Sequence, residues 1–257
     1  MLSVSLFLAA AAAQASAGAA CPDLVTVDAT VCRAIDAQSR ESYRESAEAF
    51  ERAAETKRLT SAVAGDSEVN RLLAAAGNMW IAANDPARAA LALDQALTGP
   101  GLVAEHRGEA LLDRARAAEA QGDLKTARAK VNEAMGTIAR DPFAWYFSAA
   151  LAIREGDGKA AEISINRALE IAPADSTLLF EAGHVAEFNR DVPGARMYWE
   201  RAIERDPNGA SGRAAREALR LLPVPLTVTD RVAVPDAEVP DGDVDGDGEP
   251  AADQPKS

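Results

Sequence analysis

A residue pattern that returns about every 34 positions is the feature that most constrains the fold of this chain. Each residue of one set is followed, at that spacing, by a residue of the same size class in a second set. Because so many positions return together, the chain repeats one structural unit instead of building a single layered core. The first set is Trp145, Ala149, Ala152, Ala161, Ile165, Ala168 and Pro173, and the second is Leu179, Gly183, Ala186, Ala195, Trp199, Ala202 and Pro207.

Two more units precede these sets. Residues 43–53 also have the pattern of a second helix from a fifth, degenerate unit. A loop around Gly99 and Gly101 explains the larger distance between the two upstream units. In the nearer one, Ala139 stands where the closing proline is expected. The nearer unit contains Leu111, Ala115, Ala118, Ala127, Val131 and Ala134, and the farther one Leu73, Gly77, Trp80, Ala89, Leu93 and Ala96.

In this order of large and small residues, the chain resembles the tetratricopeptide repeat over residues 70–207. The resemblance implies helical hairpins that stack into a solenoid with an extended concave surface. We therefore expect an all-α solenoid of about four to five hairpins. Residues 210–222 have the pattern of a final amphipathic helix that caps the last hydrophobic face. We place an N-terminal segment with the degenerate repeat at residues 21–69, and the solenoid with its capping helix at residues 70–222.

Composition and charge agree with this fold and narrow the partners. Of all residues, 48% are hydrophobic but only 5% are aromatic, and much of the apolar content is alanine, the best helix former. The net charge of −13 repels phosphate backbones, so we expect no nucleic-acid partner. Residues 223–257 hold nine acids against Arg231 and Lys256. We expect them to form a disordered, acidic, proline-rich tail.

The N-terminus is typical of an exported protein. Residues 1–20 carry no charged side chain and run from an apolar stretch into small residues, as in a secretory signal peptide, although no Lys or Arg follows Met1. The stretch is short for a membrane span, and no later run is apolar enough for one. The chain also has no Asn-x-Ser/Thr site. These features predict a bacterial periplasmic protein, with outer-membrane association as an alternative.

Cys21 and Cys32 are the only cysteines and lie near the expected mature N-terminus. In an oxidising compartment, two cysteines most simply form one disulfide. The alternative is acylation of Cys21, because Ala19-Ala20-Cys21 resembles the processing site of bacterial lipoproteins. Gly18 departs from that site, where leucine is usual.

The sequence offers little for catalysis, and we expect no enzyme, no cofactor and no metal site. It has no Gly-x-Ser-x-Gly turn, His-Glu-x-x-His pair or Walker phosphate loop. His106 and His184 lie in different units. Residues 241–247 resemble the first half of a calcium loop, but Ala252 stands where the bidentate glutamate belongs, so an acidic disordered run is favoured.

The concave groove is the candidate site. In tetratricopeptide proteins the first helix of each unit faces inward, and spacing assigns a set of aromatic and charged residues to that face. Aromatic and Arg side chains are enriched at binding hot spots, although packing between repeats would explain Phe143 and Phe180 equally well. Ala74 and Phe147 replace polar residues with which some family members clamp a carboxylate-ended tail. The groove set is Arg71, Asn78, Glu109, Arg116, Phe143, Tyr146, Arg154, Phe180, His184 and Phe188.

These observations predict a scaffold that binds a peptide or partner protein subunit in its groove. One alternative is a lipid-anchored envelope assembly factor of the same fold, tethered at Cys21. Another, of a different class, is an enzyme or small-ligand accessory.

Overall fold

The computed structural model describes residues 21–61, 66–99 and 101–222. The predicted signal peptide and tail lie outside the described residues. Within the described ranges the chain forms helices and no strand, which confirms the predicted all-α solenoid. Ten helices pair as five hairpins and the eleventh follows the last. The helices are α1 (Val27–Ser39), α2 (Tyr43–Thr60), α3 (Ser67–Ala82), α4 (Pro86–Ala96), α5 (Ala104–Ala120), α6 (Leu124–Ile138), α7 (Pro142–Glu155), α8 (Gly158–Ile171), α9 (Ser176–Phe188), α10 (Val192–Arg205) and α11 (Ala210–Leu221).

Aspartates set the turns within the hairpins. The N-cap residue of α4, α6, α8 and α10 is an aspartate whose carboxylate accepts a hydrogen bond from the backbone N–H three residues on, at 2.9 to 3.1 Å. The residue before each cap has φ between 58° and 80°, which ends the preceding helix. The capping residues are Asp85, Asp123, Asp157 and Asp191, and the residues before them are Asn84, Gly122, Gly156 and Arg190.

The repeated small residues lie where helices cross. Ala89, Ala115, Ala161 and Ala195 are fully buried at these crossings, so the backbones approach closely. Gly77 is equally constrained, because a Cβ there would lie 2.4 Å from Cγ of Leu93. The repeat signature therefore records helix packing and carries no information about a ligand.

Helix α11 covers the end of the last hairpin. It packs against α9 and α10, and its Ala215 is fully buried. Leu222, just after the helix, is also buried in the same core cluster. This is the capping role that the amphipathic pattern predicts.

The N-terminal segment is fastened to α1. Cys21 and Cys32 form a disulfide, with Cα atoms 5.7 Å apart. The Arg33 guanidinium donates to the carbonyl oxygens of Pro22, at 2.8 Å, and Leu24, at 3.0 Å. These bonds hold residues 21–24 against the first turns of α1.

Candidate binding groove

The odd-numbered helices line the inner face of the repeats. Across successive hairpins, α3 packs on α5, α7 on α9, and α9 on α11. Stacked hairpins curve toward the side on which neighbouring helices are closest, which makes this the concave side. Side chains that project from these helices therefore form the candidate groove.

A hydrogen-bonded group joins α3 to α5. Asn78 Nδ2 donates to Oδ2 of Asp113 at 2.8 Å, and Nη1 of Arg116 donates to the other oxygen, Oδ1, at 2.9 Å. Burial raises the pKa of Asp113, while Arg116 and Asn78 oppose this by stabilising the charged carboxylate. Asn78 is only 5% exposed, and its Oδ1 accepts no hydrogen bond from the described residues. Asn78 Oδ1 is therefore a buried acceptor without a donor among the described residues.

Aromatic rings continue the groove on α7. The ring centroids of Phe143 and Tyr146 are 5.5 Å apart, and the Arg116 guanidinium lies 6.0 Å from the Phe143 ring. Burial raises the pKa of Tyr146 to about 12, with a further contribution from the charge of Glu181, while Arg116 opposes both. Tyr146 therefore lies within the electrostatic reach of charged groups on both neighbouring inner helices.

Helix α9 contributes a ring stack and an acid. The Phe180 and His184 rings are 4.5 Å apart, and His184 lies 5.3 Å from the Trp199 ring, both edge to face. Burial raises the pKa of Glu181, and His184 opposes the rise. Glu181 is partly buried and makes no hydrogen bond or ion pair with any described residue. Among the described residues, no Lys or Arg pairs with this carboxylate.

Together, these residues form an inner-face cluster across four hairpins. We use that name for Asn78, Asp113, Arg116, Phe143, Tyr146, Phe180, Glu181 and His184.

The structure spreads the remaining predicted residues around this cluster. Arg154, two turns beyond Tyr146 on the same face of α7, forms an ion pair with Glu119 on α5. Glu109 is near the cluster, and burial raises its pKa while His106 opposes the rise. Arg71 is exposed on α3 with no described partner. Phe188 lies at the end of α9, 43% exposed, outside the ring stack.

Sequence reasoning missed Asp113 and Glu181. They occupy equivalent positions of their repeats, about 34 residues on either side of Phe147. That equivalence is a signal in the sequence, because Phe147 stands at the same repeat position as the two acids. Its residue type differs from unit to unit, so the repeat spacing indicated the position but not its chemistry.

Among the described residues, no group of three or more His, Cys, Asp or Glu side chains is placed to hold a metal ion. No helix in the described ranges is long and apolar enough to cross a membrane.

Several solved structures share this architecture, although no family model and no curated protein matches the sequence. PilW, a type IV pilus biogenesis factor, superposes with a TM-score of 0.64 at 18% identity, covering 77% of this chain and 84% of its own. The pilF protein of Pseudomonas aeruginosa gives 0.59 at 14%, covering 77% and 83%. YrrB, a TPR protein with an unusual peptide-binding site, gives 0.54 at 15%, covering 75% and 91%.

At these identities the likeness concerns the fold alone. It agrees with the five hairpins, the aspartate-capped turns and the small residues at the helix crossings. The chain has the fold of tetratricopeptide repeat proteins.

Proposed function

We propose that this protein is an interaction scaffold that binds an extended segment of a partner protein along its inner face. The observation that carries the proposal is the inner-face cluster. It places hydrogen-bonding groups, rings and one unpaired acid on α3, α5, α7 and α9 in succession. An extended chain that crosses successive repeats meets such a row of groups in order.

Two similar structures support a protein partner. The name of one describes a pilus biogenesis factor and the name of the other a peptide-binding site. The cluster also suits binding better than catalysis. Its polar groups hold one another in place, and its aromatic rings offer contact area of the kind found at binding hot spots.

We further propose that the chain works in a bacterial periplasm. The support is the signal-like segment at residues 1–20, together with the disulfide between Cys21 and Cys32, since disulfides persist in oxidising compartments. The lipid-anchored alternative requires the Cys21 sulfur for a thioether. The disulfide uses that sulfur, so we favour the untethered form.

Site-specific photocrosslinking tests the scaffold function. A benzophenone amino acid replaces Ala150, on the inner face of α7, and separately Glu162, on the outer helix α8, and the protein is crosslinked in intact envelopes. We expect one defined partner from position 150 and none from position 162. Equal crosslinking from both positions would argue against groove binding.

A matched pair of double variants then measures the affinity for that partner. Phe143→Ala with Arg154→Ala removes a ring and a cation from the inner face. Ile163→Ala with Arg167→Ala removes an apolar group and a cation from the exposed face of α8. We expect the first pair to weaken binding by roughly 1 to 4 kcal/mol and the second to leave it unchanged, with helicity retained in both.

A further inference from the structure

Glu181 differs from the inner-face acids Asp113 and Glu119 in having no partner among the described residues. Asp113 is held by Asn78 and Arg116, and Glu119 by Arg154. Glu181 has neither a hydrogen bond nor an ion pair among the described residues, although it is partly buried. Burial of a charged carboxylate without a partner lowers the stability of the folded protein. The same loss of water raises the pKa of Glu181.

The surroundings of Glu181 suit a cationic side chain. On its own helix, the Phe180 and His184 rings stack at 4.5 Å, and His184 lies one turn from the acid. From α7, Tyr146 is close enough for the Glu181 charge to act on its hydroxyl. Rings beside a carboxylate favour Lys or Arg, because the ring faces attract the cation and the apolar surface accommodates the aliphatic stem.

The charge balance of the groove points the same way. The positive charge of Arg116 is opposed by Asp113, and that of Arg154 by Glu119. On α9, Glu181 then remains as an acid without an ion pair among the described residues. The unpaired acid Glu109 and the unpaired cation Arg71 lie on other inner helices, α5 and α3. The part of the groove between α7 and α9 therefore carries an acid that is complementary to a basic group.

We propose that Glu181, flanked by Tyr146, Phe180 and His184, binds one Lys or Arg side chain of the partner segment. This inference rests on the proposed peptide-binding function and specifies its substrate class: a segment with a basic residue in register with α9. Glu181 acts as the specificity-determining residue. If the partner offered an uncharged side chain instead of Lys or Arg, Glu181 would stay buried and unpaired in the complex.

The test selects random dodecapeptides by phage display on the protein and measures the winners as synthetic peptides. The variants are Glu181→Gln and, as a control, Glu162→Gln, which removes an exposed acid without an ion pair from the outer helix α8. In each peptide the basic residue is also replaced by norleucine, which keeps the apolar stem and removes the charge.

We expect the selected peptides to share a Lys or Arg at one position. Glu181→Gln should weaken their binding by about tenfold or more, and Glu162→Gln should change it little. The norleucine peptide should lose as much affinity and be insensitive to Glu181→Gln, because the two changes remove one interaction.

The unfavourable outcomes separate the two proposals. Peptides without a shared basic residue, or with unchanged affinity for Glu181→Gln, would overturn the cation site. If such peptides still lose affinity in the Phe143→Ala, Arg154→Ala protein, the scaffold function stands. If no peptide is enriched, or if that double variant binds all of them normally, both proposals fall.

Discussion

Asn78 and Asp113 join the inner helices of two successive hairpins through a 2.8 Å hydrogen bond from Nδ2 to Oδ2. The same carboxylate accepts from Arg116, so three side chains from α3 and α5 hold one another. Both ends of the bond between the hairpins are largely buried. Since repeat proteins are stabilised by the interfaces between neighbours, this bond contributes to the coupling of the two hairpins.

Replacing Asn78 tests that coupling. Asn78→Ala leaves Asp113 with Arg116 alone in a buried position, and we expect unfolding to become easier by about 1 to 2 kcal/mol. Asn166→Ala is the control, because Asn166 is exposed on α8 and has no described partner. Urea denaturation followed by far-UV circular dichroism measures both. Equal stability of the two variants would show that the bond contributes nothing.

The fold was predictable from the sequence because the same helix packing recurs in every repeat, and its small and large residues therefore return at a fixed spacing. Each hairpin must place small residues such as Ala89 and Gly183 at its helix crossing, so the requirement recurs with every unit. Only the second helix of the degenerate N-terminal unit shows the repeat pattern, yet its first helix also forms, as α1, where the disulfide and the Arg33 hydrogen bonds hold its beginning. Tertiary contacts stabilise that helix where its own pattern is weak.

The candidate site was predictable only in part. Spacing assigned Phe143, Tyr146, Phe180 and His184 to one groove set. The structure places Phe143 beside Tyr146 and Phe180 beside His184, because helical periodicity fixes which side chains share a face. The pairing of Asp113 and the isolation of Glu181 depend on which partners the next hairpin supplies. Those partners are set by side-chain distances between helices, which a repeat spacing does not contain.

Gly183 should tolerate no side chain. An added Cβ would lie 2.1 Å from Nε1 and 2.3 Å from Cδ1 of Trp199. The indole cannot easily move away, because it is 1% exposed and Nε1 donates to the Phe180 carbonyl oxygen at 3.0 Å. We expect Gly183→Ala to destabilise the protein by about 1 to 3 kcal/mol, measured by thermal unfolding.

Gly136 provides the control, because alanine at this position should increase stability instead of lowering it. It lies inside α6, is exposed, and has open space where a Cβ would be added. Alanine there lowers the entropy cost of forming the helix, so Gly136→Ala should stabilise by roughly 0.5 to 1 kcal/mol. Loss of stability in both variants to the same extent would indicate that the Trp199 contact is not the cause in Gly183→Ala.

Glu181 should reduce stability at neutral pH in the absence of a partner. Burial raises its pKa in the folded protein, so between the unfolded and folded pKa values the native state holds more protons. Stability from this group is therefore present below the unfolded pKa and is lost as pH rises through the folded pKa. We expect Glu181→Gln to raise the Tm by about 1 to 2 °C at pH 7, with the difference shrinking as the pH falls through the folded pKa and absent below the unfolded pKa of about 4.3.

The Tm of the variant is compared with that of the wild type at each pH, so that the effects of the other carboxylates on the Tm cancel. Glu162→Gln, at an exposed position of the outer helix α8, is the control, and no gain is expected from it. A Glu181→Gln protein less stable than wild type at pH 7 would mean that Glu181 has a stabilising contact in solution. It would then not be available to a partner cation.

The disulfide between Cys21 and Cys32 should act locally. It closes a short loop, with a sequence separation of 11, for which loop entropy suggests a stabilisation of about 3 kcal/mol. In a repeat array each unit contacts only its neighbours, so the loss should be greatest in the first hairpin. We expect Cys32→Ser to speed amide hydrogen exchange in α1 and α2 and to leave α9 and α10 unchanged.

The same proteins decide between the disulfide and the lipid anchor. The intact mass of the mature wild-type chain should be two hydrogens below that of its reduced form, because one sulfur–sulfur bond replaces two thiols. A diacylglycerol thioether on Cys21 would instead add the mass of the lipid and leave Cys32 able to react with a thiol reagent. Such a product would overturn the disulfide, and so would amide hydrogen exchange in α1 that is unchanged by Cys32→Ser. Either result would favour the tethered assembly factor over the untethered form.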